Sequence, residues 1–189
     1  MLMSSHSSLA NQFLIAMPSL ADPNFSRTVT LLCEHTADGA LGVVINRTVG
    51  MALGDVFEQL DIDPKQAHHS DAPIYLGGPV QNDSGFVLHE PLGSWESTLP
   101  INETLGLSTS QDILRAIAEN RGPDSWLVAL GYAGWGPGQL EQEISENAWL
   151  NGPADNNIVF RLPDDQRWQA AAAKLGVNLT TLSGDAGHA

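Results

Sequence analysis

The sequence predicts an α+β fold, a single domain on an antiparallel-rich β-sheet, and three observations carry that prediction. Short runs of β-branched and apolar residues are interleaved irregularly with stretches of helical periodicity. Turn signals separate several strand-like runs closely enough for sequence neighbours to pair as hairpins. Few segments have the length of a β-α-β crossover, which argues against a doubly wound parallel sheet. A chain of 189 residues has room for one substantial core and is short for two. One domain is expected over residues 9–183, with loose tails at 1–8 and 184–189 where nothing apolar ties the chain down.

In order along the chain, residues 28–35 read as a buried strand and 41–46 as a second, with Asp38-Gly39 marking a hairpin between them. Leu53, Val56, Phe57 and Leu60 recur at helical spacing and predict a helix over 53–60. Residues 61–73 are polar, carry two prolines and the pair His68-His69, and read as a long surface loop. Strands over 74–76 and 85–89 flank a turn at Gly77-Gly78-Pro79. A helix follows over 110–120, with Ser108 and Gln111 as a capping box, Ile113, Leu114 and Ile117 as its inner stripe, and Gly122-Pro123 as its stop. Residues 126–130 read as a buried strand. Gly136-Pro137-Gly138 opens a helix with Leu140 and Ile144 on one face and Trp149 near its end. Residues 157–162 read as a short strand. Pro163-Asp164-Asp165 then starts a last helix, with Trp168 and Leu175 inside and Gly176 at its C-terminal end.

Charge is the strongest compositional signal. Eight Lys and Arg face 22 Asp and Glu, for a net charge of −14 with histidines neutral. Such a field repels nucleic acid and anionic lipid, and the two lysines, Lys65 and Lys174, and the scattered arginines form no basic stripe. Direct nucleic-acid binding is therefore not expected. The lone Cys33 excludes an intramolecular disulfide framework and a multi-cysteine zinc site, and it fits a reducing compartment. The apolar patch Phe13-Leu14-Ile15-Ala16-Met17 follows no basic residue and makes a poor secretory signal. No apolar run approaches the roughly 20 residues that span a bilayer. A cytoplasmic protein with no membrane partner and no cofactor is the expectation.

Cys33 and His35 are the sharpest chemical pair. Two residues apart on a strand, a thiol and an imidazole share a face, and a nearby base raises thiolate content. The competing reading is a core cysteine, since Leu31 lies on the same face and cysteine is among the most buried residue types. Glu34-His35, His68-His69 and His89-Glu90 invite a metal hypothesis, but none has the spacing that sets two imidazoles on one metal, and no metal site is expected. Residues 131–139, with Gly134, Trp135 and Gln139, read as a strand-to-helix turn of the kind that can bind anions. Pro137 and the acidic Glu141 and Glu143 weaken that reading, and a tight turn packing glycines under Trp135 competes with it. Asp22-Pro23-Asn24-Phe25 reads as a turn with an anchored aromatic. Arg27 and Arg47 stand at strand edges, where they clamp a carboxylate or pair within the chain. The five tryptophans are expected mostly in the core.

Several of these segments, taken in order, resemble one family. Phe13-Leu14-Ile15-Ala16-Met17-Pro18, Asp22-Pro23-Asn24-Phe25, Arg27-Thr28-Val29 and Glu34-His35 are similar to the opening pattern of the bacterial AlgH/YqgE family. So are Gly39-Ala40-Leu41-Gly42-Val43-Val44-Ile45-Asn46-Arg47, Gly77-Gly78-Pro79-Val80 and the run from Gly131 through Trp149 to Leu150. Thr48 departs from the pattern, where the family usually continues with proline. The resemblance implies a bifurcated or barrel-like sheet wrapped by helices and a bacterial cytosolic setting. Members of the family carry the label of transcriptional regulators, and no catalytic residue comes with the resemblance. The expected function is a binding or regulatory module that acts on an unidentified protein or small-molecule partner. Arg27, Asn46, Arg47, Gly77, Gly78, Gly134, Trp135 and Gln139 are its candidate ligand residues. The alternative is a thiol-dependent enzyme using Cys33 and His35.

Overall fold

The structure, a computed structural model, describes residues 8–64 and 67–186. Of the tails expected at 1–8 and 184–189, residues 1–7 and 187–189 lie outside the described residues, as do Lys65 and the side chain of His68. In chain order the strands are β1 (Gln12–Ala16), β2 (Val29–Thr36), β3 (Gly39–Val44), β4 (Thr48–Ala52), β5 (Pro73–Leu76), β6 (Val80–Glu90), β7 (Thr98–Pro100), β8 (Gly106–Ser108), β9 (Ser125–Trp135) and β10 (Trp149–Pro153). The helices are α1 (Leu53–Gln59), α2 (Gln111–Ala118), α3 (Gln139–Ser145), α4 (Asn156–Phe160), α5 (Arg167–Ala173) and α6 (Leu179–Ala186). The fold is α+β. Its contacts group into two compact units, one of Met1–Asn46 with Ala133–Ala189 and one of Arg47–Tyr132. Strand β9 carries the chain from the second unit into the first. Its residues 133–135 pair with β3 in the first unit, and its earlier residues pair with β5 and β6 in the second.

In the first unit the strands run antiparallel in the order β10-β1-β2-β3, closed by residues 133–135 of β9. The continuous apolar stretch of β2 is buried from Val29 to Cys33, as expected for a strand covered on both faces. The hairpin at Asp38 forms as the turn signal predicts. Gly39 sits at φ 137°, where an added Cβ would lie 2.3 Å from the carbonyl oxygen of Trp135. Only glycine accepts that conformation and that approach. Helix α3 ends in a Schellman motif. Asn147 takes a left-handed φ of 64°, and its amide and that of Ala148 return to the carbonyls of Ile144 and Glu143. That stop places Trp149 on strand β10, not near the end of a helix as its spacing predicts. Residues 157–162 also differ from expectation. They belong largely to α4, because the side chain of Asp155 accepts from the Asn157 amide and caps a helix there. Arg167, buried on α5, donates through Nε to Leu162 O at 2.9 Å and through Nη1 to Ile45 O, while the Trp168 indole donates to Ala16 O at 2.9 Å. Helix α6 runs past Gly184, where the loose tail was expected to begin.

In the second unit the order is β4-β5-β9-β6-β8-β7, antiparallel except for β5 against β9. Leu53 and Phe57 of α1 and Ile113, Leu114 and Ile117 of α2 pack with Ile74, Val87 and Val128 of the sheet. This is the inner stripe that the helical spacing predicts. The capping box at Ser108 does not form: Ser108 is a buried residue of β8, and Ser110 occupies the cap position. Asp112 tightens that turn instead. Its carboxylate meets a cost of burial, more than offset by bonds from the Ser110 hydroxyl and the Glu96 and Ile113 amides, and is held below the usual range. Part of the loop at 61–73 is a 3-10 turn over Ala67–Asp71. Strand β9 does not stop before its glycines. Gly131, at φ 76°, stays in the strand because Gly78 O would stand 2.4 Å from a Cβ there. Gly77 donates to Leu130 O at 2.8 Å in the same contact. The glycine pair therefore serves a close backbone approach. No helix among the described residues is long and apolar enough to cross a membrane.

Candidate functional site

Three of the candidate ligand residues meet within the first unit. Gly134 and Trp135 on β9 and Gln139 opening α3 line a cavity of about 290 Å³, together with Asp22, Phe25 and Glu143. Glu146, Trp149, Leu20 and Ala148 complete the lining. Local sequence explains the convergence. The Asp22 turn, in which Asp22 accepts from the Asn24 amide, brings Phe25 over the end of the sheet. Gln139, Glu143 and Glu146 repeat at i, i+4 and i+7, so α3 and its cap turn one face to the cavity. The Schellman stop then delivers Trp149 beside Trp135.

The aromatic part is a packed cluster. Phe25 lies 6.1 Å from Trp135 and 5.5 Å from Trp149, and the two indoles are 6.0 Å apart, centroid to centroid. At those separations the rings touch one another, which leaves no room for a ligand between them. Glu143 is the fixed polar centre. Its Oε1 accepts from both indole N–H groups, Trp135 and Trp149, at 3.0 Å each. Its Oε2 accepts from the Gln139 amide at 2.9 Å, while Gln139 Oε1 takes the Gly136 N–H. All of these donors are neutral, and the lining contains Asp22, Glu143 and Glu146 but no Lys, Arg or His. A lining of that charge favours a cation over a phosphate or a carboxylate on electrostatic grounds. Among the described residues no three His, Cys, Asp or Glu side chains stand close enough to hold a metal ion. The three carboxylates are spread around the cavity, an arrangement suited to the diffuse charge of an organic cation. The anion-binding turn that residues 131–139 suggest is thus reversed in sign. Much of that segment is strand, and α3 brings acid to the cavity.

The remaining sequence-predicted residues have other surroundings. Asn46 accepts from the Val29 amide and donates to Arg27 O, both at 2.9 Å, which fixes Arg27 at φ 59°. The Arg27 guanidinium stands over the Trp168 ring, 5.5 Å from its centroid. In the second unit Arg47 O accepts from the Leu76 amide, next to Gly77 and Gly78 in their backbone contact with β9. Cys33 is buried and its Sγ lies 3.5 Å from Leu31 O. Burial first, and the Glu34 charge second, push its pKa far above the ordinary thiol value, the reverse of what a thiolate nucleophile needs. His35 is not its base. Its Nδ1 accepts from the Leu9 amide at 2.9 Å and its Nε2 is 3.1 Å from the Glu141 carboxylate. A register shift between Leu32 and Glu34 also breaks the alternation on which the pairing argument rests. The thiol mechanism has no support in this geometry.

Sequence reasoning passed over one further constellation, in the second unit. His89 Nδ1 donates to Pro91 O at 3.0 Å, and its Nε2 accepts from the Ser108 hydroxyl at 2.7 Å, which Thr98 meets at 2.8 Å. This is the bonding pattern of a serine activated by histidine. Both His89 and Ser108 are 0% exposed, however, so no substrate reaches the hydroxyl. It is a satisfied polar network of the core.

An AlgH-like family model (DUF179) matches residues 13–180, and so runs through both units. The chain belongs to the AlgH-like family. A UPF0301 protein of Thioalkalivibrio sulfidiphilus is 58% identical over 99% of this chain and 100% of its own length. The UPF0301 protein AlgH of Pseudomonas aeruginosa is 56% identical over 98% of each. The solution structure of AlgH from Pseudomonas aeruginosa superposes with a TM-score of 0.79 at 55% identity, covering 97% of both chains. A crystal structure of a Corynebacterium diphtheriae protein shares the fold at a TM-score of 0.72 and 24% identity, over 96% of this chain and 94% of that one. Both structures thus share the α+β fold of this chain.

Proposed function

We propose that this AlgH-like chain is a non-catalytic binding module of the cytoplasm, and that its ligand is a small organic cation held in the acid–aromatic cavity of the first unit. One observation carries the reading. Glu143 is preorganised by two indoles and one amide beside a cavity whose other ionisable groups, Asp22 and Glu146, are also acidic. A fixed carboxylate with aromatic walls attracts an ammonium or guanidinium group through charge and ring quadrupole together. The chain's charge of −14 favours the same encounter at long range. The burial of Cys33 and Ser108, which withholds these two nucleophiles from a substrate, supports the non-catalytic reading.

Calorimetric titration with choline and with its uncharged isostere 3,3-dimethylbutan-1-ol separates charge from shape. Choline is expected to bind and the isostere to bind at least tenfold more weakly. Glu143→Gln keeps an oxygen for the indoles and removes the charge, and should cost about 1–2 kcal/mol, roughly a 5–30-fold loss. Equal binding of both probes, or a Glu143→Gln variant with unchanged affinity, would refute the reading.

A further inference from the structure

The second unit holds a larger cavity of different chemistry, about 630 Å³, between α1, α2 and strand β6. Its apolar wall comes from Met51, Val56, Leu60, Phe86, Leu114 and Leu130. Four of these, Met51, Val56, Leu60 and Leu130, are partly buried hydrophobics packed against the unit's core, so incompletely covered apolar surface of this unit faces the cavity. Around that wall stand three amides, Gln59, Gln81 and Gln111, and the hydroxyls of Ser84 and Thr109. Asp83 is the one ionisable group in the lining. Gln59, Gln81 and Gln111 are exposed, and among the described residues their side-chain amides make no hydrogen bond, so donor and acceptor are open to a ligand.

The backbone is shaped around this space. The β6–β9 register passes from Val80 opposite Tyr132 directly to Gly85 opposite Leu130, so residues 81–84 leave the ladder as a bulge. Gln81 within it takes a left-handed φ of 49°, a conformation that costs energy for a residue with a side chain. Bulges of this kind re-aim side chains and concentrate beside binding sites. Here the bulge carries Gln81, Asp83 and Ser84 onto the cavity, and Gly85 lines it with nothing within 4 Å of an added Cβ.

We infer that this cavity binds an uncharged, mostly apolar small molecule that carries a paired hydrogen-bond donor and acceptor, such as a secondary amide or lactam. Size and lining match a site for a drug-sized ligand, concave and apolar with a few placed polar groups. Charge decides the class. The lining has no cation to pair an anion, Asp83 and the chain's net charge of −14 repel one, and a single carboxylate gives a cation little to hold. A glutamine amide presents donor and acceptor side by side, which an amide group satisfies reciprocally. Met51 adds a flexible, polarisable wall that adapts to the apolar body. The inference is independent of the cation site of the first unit.

The probe is N-phenyl-1-naphthylamine, uncharged and fluorescent in apolar surroundings, with amide-region NMR to locate it. Fluorescence should rise saturably, and shifts should concentrate at Val56, Gly85 and Gln111. Benzanilide, an uncharged secondary amide, should displace the probe at least tenfold more effectively than 4-benzamidobenzoate, the same amide carrying a carboxylate. Gly85→Leu fills open space without a strained φ and should lower probe affinity at least tenfold with the thermal midpoint retained. Val56→Phe, on the opposite wall, should do the same, so a folding defect in one variant leaves the other decisive. Probe binding that survives both cavity substitutions, shifts that fall outside the second unit, or displacement by the anion as readily as by the amide would overturn the inference.

Discussion

Replacing Arg167 with methionine isolates the side chain that ties α5 to the sheet of the first unit. The residue is buried, and its guanidinium donates to the carbonyls of Leu162 and Ile45. Methionine approximates the aliphatic stem, so packing changes little while two buried acceptors lose a charged donor. Each orphaned carbonyl costs about 1–3 kcal/mol. Relief of the buried guanidinium's desolvation offsets part of that, which leaves a net loss of about 2–4 kcal/mol. For a chain of this size each kcal/mol lowers Tm by about 2–4 °C, so a fall of roughly 5–15 °C is expected. Thermal unfolding followed by far-UV circular dichroism, with the urea midpoint as a second readout, gives the value. A variant whose Tm stays within about 2 °C of the parent would mean that the two bonds contribute nothing net, and would refute the reasoning.

Two further predictions concern titratable groups of the core. Because burial and the Glu34 charge hold the Cys33 thiol protonated, iodoacetamide should label it at least about a hundredfold more slowly in the folded chain than in urea across pH 7–9; comparable rates in the two states would contradict this placement. His89 has a folded-state pKa lowered mainly by burial, against the opposing pull of its bond to Pro91 O. Folding therefore favours the neutral ring, and the stabilisation is fully present above the unfolded value of about 6.5 and is lost as pH falls through the folded value. Urea midpoints at pH 7.5, 6 and 5 should show the gap between parent and His89→Gln narrowing toward acid, and a gap constant across that range would exclude the linkage.

The legible parts of the fold are those where one local signal and the tertiary context agree. Strands β2 and β3 declare themselves by an apolar run, a turn dipeptide and a second apolar run, and α2 by its Ile113, Leu114 and Ile117 stripe. Misreadings occur where two signals conflict. Ile158-Val159-Phe160 has strand composition, but the Asp155 cap starts a helix just ahead of it. The glycines after Leu130 suggest a loop, yet Gly131 is required inside the strand by the approach of Gly78 O. Strand β1 lacks alternation because Phe13 to Ala16 are all buried. Part of the candidate site was likewise visible. Gly134, Trp135 and Gln139 stand out by residue type, whereas Glu143 and Glu146 needed the i, i+4, i+7 spacing to be read onto one helix face. Trp149 reaches the cavity through the Asn147 stop, which no sequence period announces, whereas the Asp22 turn that carries Phe25 was legible by residue type and only its place beside Trp135 was not.

The central claim is that Glu143 and the two indoles bound to it form the cation site, and the indole N–H resonances report on it directly. Five tryptophans give five indole signals, of which Trp135 and Trp149 donate to the Glu143 carboxylate. Titration with choline should move these two saturably and leave Trp126 of the second unit unmoved, with the effect lost in Glu143→Gln. Five signals that stay fixed, or that drift together without saturation, would contradict the account.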